Sequence, residues 1–241
     1  LRTIATSVLA SYIALVEQHI PTRLRRNVTW STGILPYAYE TYKRKCWDSP
    51  TLCQKGHNCC RELVSWVRWP FASLLRKVGR AWQVILMKTC LHHFELWNMA
   101  LLRRTLDDRV EHLWAPSQFR CACLKCGGPK QPISFLVGDA TRLYTNIDTA
   151  SVLDAAIDMA NAYQRFTGTS NVTVLRTSRV HGYAGGSIYT HACKSTFSVT
   201  ELYSLLTFAT LCRVFIVGNA YVEQVLGIPM GGHLSKIMIS I

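Results

Sequence analysis

Two strand-length apolar runs, Val214 to Val217 and Ala220 to Val225, are joined by Gly218-Asn219, a spacing that ties the chain into an antiparallel hairpin. That hairpin constrains what precedes it. Ser198 followed three residues later by Glu201 is a capping-box pattern, so a helix is expected through Cys212, ending as the hairpin begins. Ser151 with Asp154 repeats the pattern for a helix to Phe166, with Val152, Met159, Tyr163 and Phe166 as its apolar stripe and Gly168 as its stop. Between these helices, β-branched Val172 to Arg176 predicts a strand, and Gly185-Gly186 a turn back toward Ile188 to His191. Residues 131–241 therefore predict an α+β fold.

The first 130 residues read differently. From Thr3 to His19, and again from Arg61 to Arg104, apolar residues recur at helical spacing among cations, which predicts a mainly helical, basic region. Gly127-Gly128-Pro129 and Pro132 break the pattern and place a boundary near residue 130. Of the net charge of +13, nearly all lies before it: 20 Lys and Arg stand against 8 Asp and Glu there, and 7 against 6 beyond it. Such an excess favours a polyanionic partner, because cations that neutralise phosphates release counterions. Arg23, Arg25, Arg26 and Lys43, Arg44, Lys45 are interleaved with Trp30, Tyr37, Tyr39 and Tyr42, the mixture of charge and ring faces that suits nucleic-acid strands.

A hydrophobic content of 49% is enough for a buried core. No run reaches the roughly 18 apolar residues of a membrane span. The longest, Leu202 to Cys212, is bounded by Glu201 and Arg213, so no membrane association is expected. Eight of ten cysteines fall in the first 130 residues, a density too low for a disulfide scaffold, and the expectation is a reduced intracellular protein, with the nucleus as a candidate compartment. Cys121, Cys123 and Cys126 could fill three corners of a tetrahedral zinc site. A fourth ligand would come from elsewhere, with Cys46, Cys53, His57, Cys59, Cys60, His92, His93 and His112 as candidates.

Two segments carry chemistry. Residues 133–138 form a short apolar run that delivers Asp139 at its end, in Gly138-Asp139-Ala140-Thr141-Arg142-Leu143-Tyr144-Thr145-Asn146-Ile147. A carboxylate so placed can hold a divalent cation that also meets phosphate oxygens. The second segment, Gly227-Ile228-Pro229-Met230-Gly231-Gly232-His233-Leu234-Ser235, is a glycine-rich loop after the hairpin, whose backbone can approach a ligand closely, with Ser235 placed to cap a helix beyond it.

Asp139 followed five residues later by Tyr144 resembles the first palm motif of reverse transcriptases, and Leu-Tyr-Thr-Asn-Ile is especially like the wording of Penelope-like retroelements. Asn219 to Ser235, with Tyr221, Gln224 and the glycine loop, resembles the hairpin and loop that follow in the same elements. The resemblance covers residues 133–241 and implies part of a right-hand polymerase palm preceded by a fingers-like region.

By that resemblance, Asp139 and the Ala140 carbonyl would hold Mg²⁺, with Mn²⁺ as an alternative, in a two-metal site. Arg142 and Leu143 would lie along the incoming triphosphate, and Tyr144 under its sugar, excluding a 2′-hydroxyl. Gln224, Met230 and Gly231 would contact the nucleotide or its base pair. The implied activity is RNA-directed DNA polymerisation, with an RNA or DNA template-primer and deoxynucleoside triphosphates as partners. Lys236 and His233 depart from the family's wording, which has Pro after Ser235 and a small residue or Pro at 233. The paired-aspartate motif of the family would fall beyond Ile241, so this polypeptide alone is expected to be inactive. The competing expectation is a non-catalytic, zinc-stabilised nucleic-acid-binding module.

Overall fold

The computed structural model describes residues 1–25, 35–42, 60–67, 69–89, 143–175, 182–188, 193–228, 232 and 234–240. All of them belong to one unit formed by Leu1–Leu91 with Arg142–Ile241. The elements in chain order are β1 (Arg2–Thr3), α1 (Thr6–Glu17), the single turn α2 (Thr22–Arg25), β2 (Tyr37–Tyr42), β3 (Cys60–Ser65), α3 (Ala72–Thr89), the single turn α4 (Leu143–Asn146), α5 (Thr149–Thr167), β4 (Asn171–Leu175), β5 (Gly182–Ala184), β6 (Lys194–Ser198), α6 (Val199–Leu211), β7 (Val214–Val217), β8 (Ala220–Glu223) and α7 (Ser235–Ser240). The class is α+β.

Five strands form one sheet in the order β1-β8-β7-β2-β3, and three form a second in the order β5-β4-β6. The expected hairpin is β7–β8, with Val217 opposite Ala220 and Gly218 at φ 58° in the turn. A left-handed backbone there matches the twist of the two strands, and glycine adopts it without a Cβ penalty. On the other side of β7, Tyr37 of β2 pairs in parallel with Ile216, and Ile216 N–H donates to the Pro36 carbonyl at 2.8 Å. Strands from both sides of residue 130 therefore share one sheet. Against it, Leu9 and Ile13 of α1 pack with Leu35 and Val214, flanked by Ile4, Tyr12, Ile216 and Tyr221.

Several elements differ from their sequence expectation. The helix expected from Arg61 begins only at Ala72, because Cys60–Ser65 pairs along its whole length with Tyr37–Tyr42, and Pro70 precedes the first helical turn. Residues 90–104 of that expected helix lie outside the described residues, as does the strand expected at 133–138. Helix α5 starts earlier than the Ser151 pattern indicates. Its cap is Asp148, whose carboxylate accepts from Ala150 N–H at 3.3 Å and from Ser151 N–H at 2.9 Å, and Ser151 Oγ donates to the same carboxylate. At its other end Gly168 closes the helix at φ 68°, where expected.

Strand β4 forms as expected, but its return partner is Gly182–Ala184, before the glycine pair, and its other neighbour is β6, which no sequence pattern marks. Ile188 is an exposed bend, and residues 189–192 lie outside the described set. The Ser198 box forms in both directions: Glu201 N–H donates to Ser198 Oγ at 3.1 Å, and Ser198 N–H to Glu201 Oε2 at 2.9 Å. The helix it starts, α6, packs against α3, and Phe208 stacks on Trp69 with ring centroids 5.6 Å apart. Helix α3 presents Leu75, Val78, Trp82 and Ile85 inward at helical spacing, also against α5 and β4.

Candidate functional site

The two chemical segments meet through their backbones. After the turn α4 the chain runs through Ile147 to the Asp148 cap of α5, so the start of a long, partly buried helix fixes where Leu143–Asn146 can lie. From the other side, β8 ends at Glu223 and the chain reaches Gly227 within four residues. There Ile228 N–H donates to the Tyr144 carbonyl at 2.8 Å. A Cβ on Gly227 would stand 2.2 Å from that carbonyl oxygen, 2.6 Å from Thr145 Cα and 2.7 Å from Thr145 C, and Gly227 itself has φ 69°. Only glycine fits, on both counts.

The glycine loop is anchored on either side of its tip. Ile228, Leu234, Ile237 and Met238 are all buried. Together with Trp66, Trp69 and Cys212, residues at both ends of the loop line an apolar cavity of about 20 Å³. That is room for roughly one water, not a nucleotide. Burial pushes the Cys212 thiol well above its usual pKa, so this cysteine is an apolar packing group and not a nucleophile.

Arg213, between α6 and β7, ties the two segments together a second time. Its Nε donates to the Thr210 carbonyl at 2.7 Å, at the C-terminus of α6, where a cation also complements the helix dipole. Nη1 donates to the Val225 carbonyl at 3.1 Å, just ahead of Gly227, and Nη2 to Thr149 Oγ1 at 2.8 Å, on the first turn of α5. Its backbone is held as well: the N–H donates to Tyr12 Oη at 2.9 Å, and the carbonyl accepts from Gln224 N–H at 3.0 Å. Burial raises the Tyr12 phenol above its usual pKa, so it remains a neutral hydroxyl that accepts from Arg213 while donating to the Leu211 carbonyl.

Of the residues expected to meet a nucleotide, Tyr144 is half-buried on the turn α4, and Gln224 is buried with Nε2 donating to the Leu226 carbonyl at 2.9 Å. Leu143 opens that turn. Asp139, Ala140, Arg142, Met230 and Gly231 lie outside the described residues, as do the thiols of Cys121, Cys123 and Cys126. Among the described residues no three His, Cys, Asp or Glu side chains converge as a metal site, and no helix is long and apolar enough to cross a membrane. Sequence reasoning marks Arg213 only as the end of an apolar run and misses its role. The available signal is a lone cation between a helix end and a strand.

No protein-family model, curated protein or solved structure matches this chain.

Proposed function

We propose that residues 131–241 are part of a reverse-transcriptase palm and that the chain belongs to an RNA-directed DNA polymerase. The observation that carries the reading is the contact of Gly227 and Ile228 with the Tyr144 carbonyl. The two segments are far apart in sequence and are linked by resemblance alone, yet they share a hydrogen bond and an approach that excludes any side chain. A polymerase needs this closeness, because one nucleotide must meet both the acidic segment and the glycine loop.

In this reading the primer 3′-hydroxyl attacks the α-phosphorus, a new P–O bond forms, and the bond to the β-phosphate breaks with pyrophosphate leaving. The chain's contribution is largely positioning. Tyr144 lies under the sugar and disfavours a 2′-hydroxyl, Arg142 and Leu143 lie along the triphosphate, and Met230 and Gly231 bear on the base pair. Gln224, whose amide holds the Leu226 carbonyl, shapes the approach to the loop from within. The donor set at Asp139 and the Ala140 carbonyl is all oxygen, which suits a hard cation such as Mg²⁺. Bound there, such an ion supplies charge neutralisation for the phosphates. Three thiolates at Cys121, Cys123 and Cys126 suit zinc, as a structural site apart from the chemistry.

The test is primer extension on an RNA template with Mg²⁺ and deoxynucleotides, by the chain joined to its natural flanking sequence, beside an Asp139→Asn variant. Extension abolished by the substitution supports the reading. Tight, salt-sensitive template binding without extension by the unsubstituted protein would favour the nucleic-acid-binding module instead.

A further inference from the structure

We infer that Arg213 is a positioning residue that sets the distance between the Tyr144 turn and the glycine loop, and through it the fit of the nucleotide sugar; the second half of this statement rests on the polymerase reading. The guanidinium is a rigid planar fork, and its three contacts fall on three different elements. Thr210 fixes it to the end of α6, Val225 to the strand exit that becomes the glycine loop, and Thr149 to the first turn of α5, which follows directly from α4. The fork therefore bridges the chain just before Gly227 and the chain five residues after Tyr144, beside the backbone contact that Gly227 and Ile228 make.

Ile228 N–H and the Tyr144 carbonyl already hold the segments together at one point. Arg213 adds a tie at a second point, between Thr149 and Val225, and two separated points fix orientation as well as distance. Arg213 is itself held at the backbone by Tyr12 of α1 and by Gln224, next to Val225, so its base is fixed on the strand-exit side and the fork reaches from there to Thr149. Tyr144, five residues before Thr149, is thus held in register with the loop by a side chain whose hydrogen bonds go to Thr210, Val225 and Thr149.

The variants are Arg213→Lys, which keeps the charge but loses the fork, and Thr149→Val, which removes one acceptor and leaves Arg213 in place. Thr149→Ser restores that acceptor. Two readouts are taken. Backbone hydrogen exchange on the 241-residue chain is expected to accelerate about tenfold in Arg213→Lys and Thr149→Val at residues 143–149 and 225–228 together, the scale of one charged hydrogen bond, with Thr149→Ser near wild type. Acceleration confined to residues 208–213 overturns the inference.

In primer extension by the chain with its flanking sequence, the same two variants are expected to raise KM for deoxynucleotides about tenfold and to relax discrimination against ribonucleotides, with kcat and template affinity little changed. A fall in kcat with discrimination intact refutes the positioning role. No extension by the unsubstituted protein overturns the polymerase reading alone, and exchange still decides whether Arg213 holds the two segments together.

Discussion

Replacing Gly227 by Ala is the sharpest probe of the contact on which the functional reading stands. Two separable costs follow from the geometry. Holding an L-residue at φ 69° costs about 1 kcal/mol. The added Cβ would also lie 2.2 Å from the Tyr144 oxygen and 2.6 Å from Thr145 Cα. Carbon needs about 3.5 Å from such neighbours, so the two backbone segments must part by roughly 1 Å. That displacement breaks the Ile228–Tyr144 hydrogen bond, and with a buried donor left unsatisfied the loss is about 2 kcal/mol. The sum is about 3 kcal/mol.

Gly218→Ala is the matched control, since Gly218 sits at φ 58° and a methyl group added there would meet nothing within 4 Å, leaving only the backbone strain of about 1 kcal/mol. Urea unfolding followed by tryptophan fluorescence reads both. With a slope of about 2 kcal/mol per molar urea, the Gly227→Ala midpoint should fall about 1 M below that of Gly218→Ala. Midpoints that agree within about 0.25 M, at equal slopes, would refute the close approach of the two segments.

Tyr12→Phe should destabilise the chain by about 1 to 2 kcal/mol, because it removes both a donor to Leu211 and the acceptor of Arg213 N–H, and thermal melts will read it. Ser198→Ala should cost about 1 kcal/mol through loss of the α6 cap, measured in the same way. Burial acts to raise the pKa of Glu201, but hydrogen bonds from Arg23 and Ser198 outweigh it, and the folded value lies below the ordinary one. Its stabilisation is therefore complete above the unfolded value of about 4.3 and is lost as pH falls through the depressed folded value, so Glu201→Gln should flatten the acid limb of a stability-against-pH curve. For the thiol cluster the expected outcome is one zinc per chain by native mass spectrometry, lost in Cys123→Ser.

Local chemistry made much of the second half legible in advance. The Ser198–Glu201 box, the Gly168 stop and the Gly218-Asn219 hairpin each depend on residues a few positions apart, and each formed where the sequence places it. Asp148 outcompeted Ser151 as a cap because its carboxylate reaches two N–H groups and the Ser151 hydroxyl at once, a comparison that spacing alone does not make. The candidate site divides in the same way. Wording in the sequence marks Tyr144 and the glycine loop, whereas the contact between them and the fork of Arg213 exist only in three dimensions.

The Ser198 cap, the Gly168 stop and the Gly218-Asn219 turn were thus set within the sequence, because hydrogen bonding inside one element needs only near neighbours, whereas Phe166 of the expected α5 stripe stands exposed. Partnership was left to the folded chain. Cys60–Ser65 opens the run read as a basic helix from Arg61, but it becomes a strand because Tyr37–Tyr42 offers it a full antiparallel ladder, and β2 in turn adds in parallel to β7. Backbone donors and acceptors along a strand are satisfied by another strand, and which strand that is depends on distant parts of the chain. For the same reason Gly227 carries a meaning that its own neighbours do not reveal: it is glycine because Tyr144 and Thr145 leave no room for anything else.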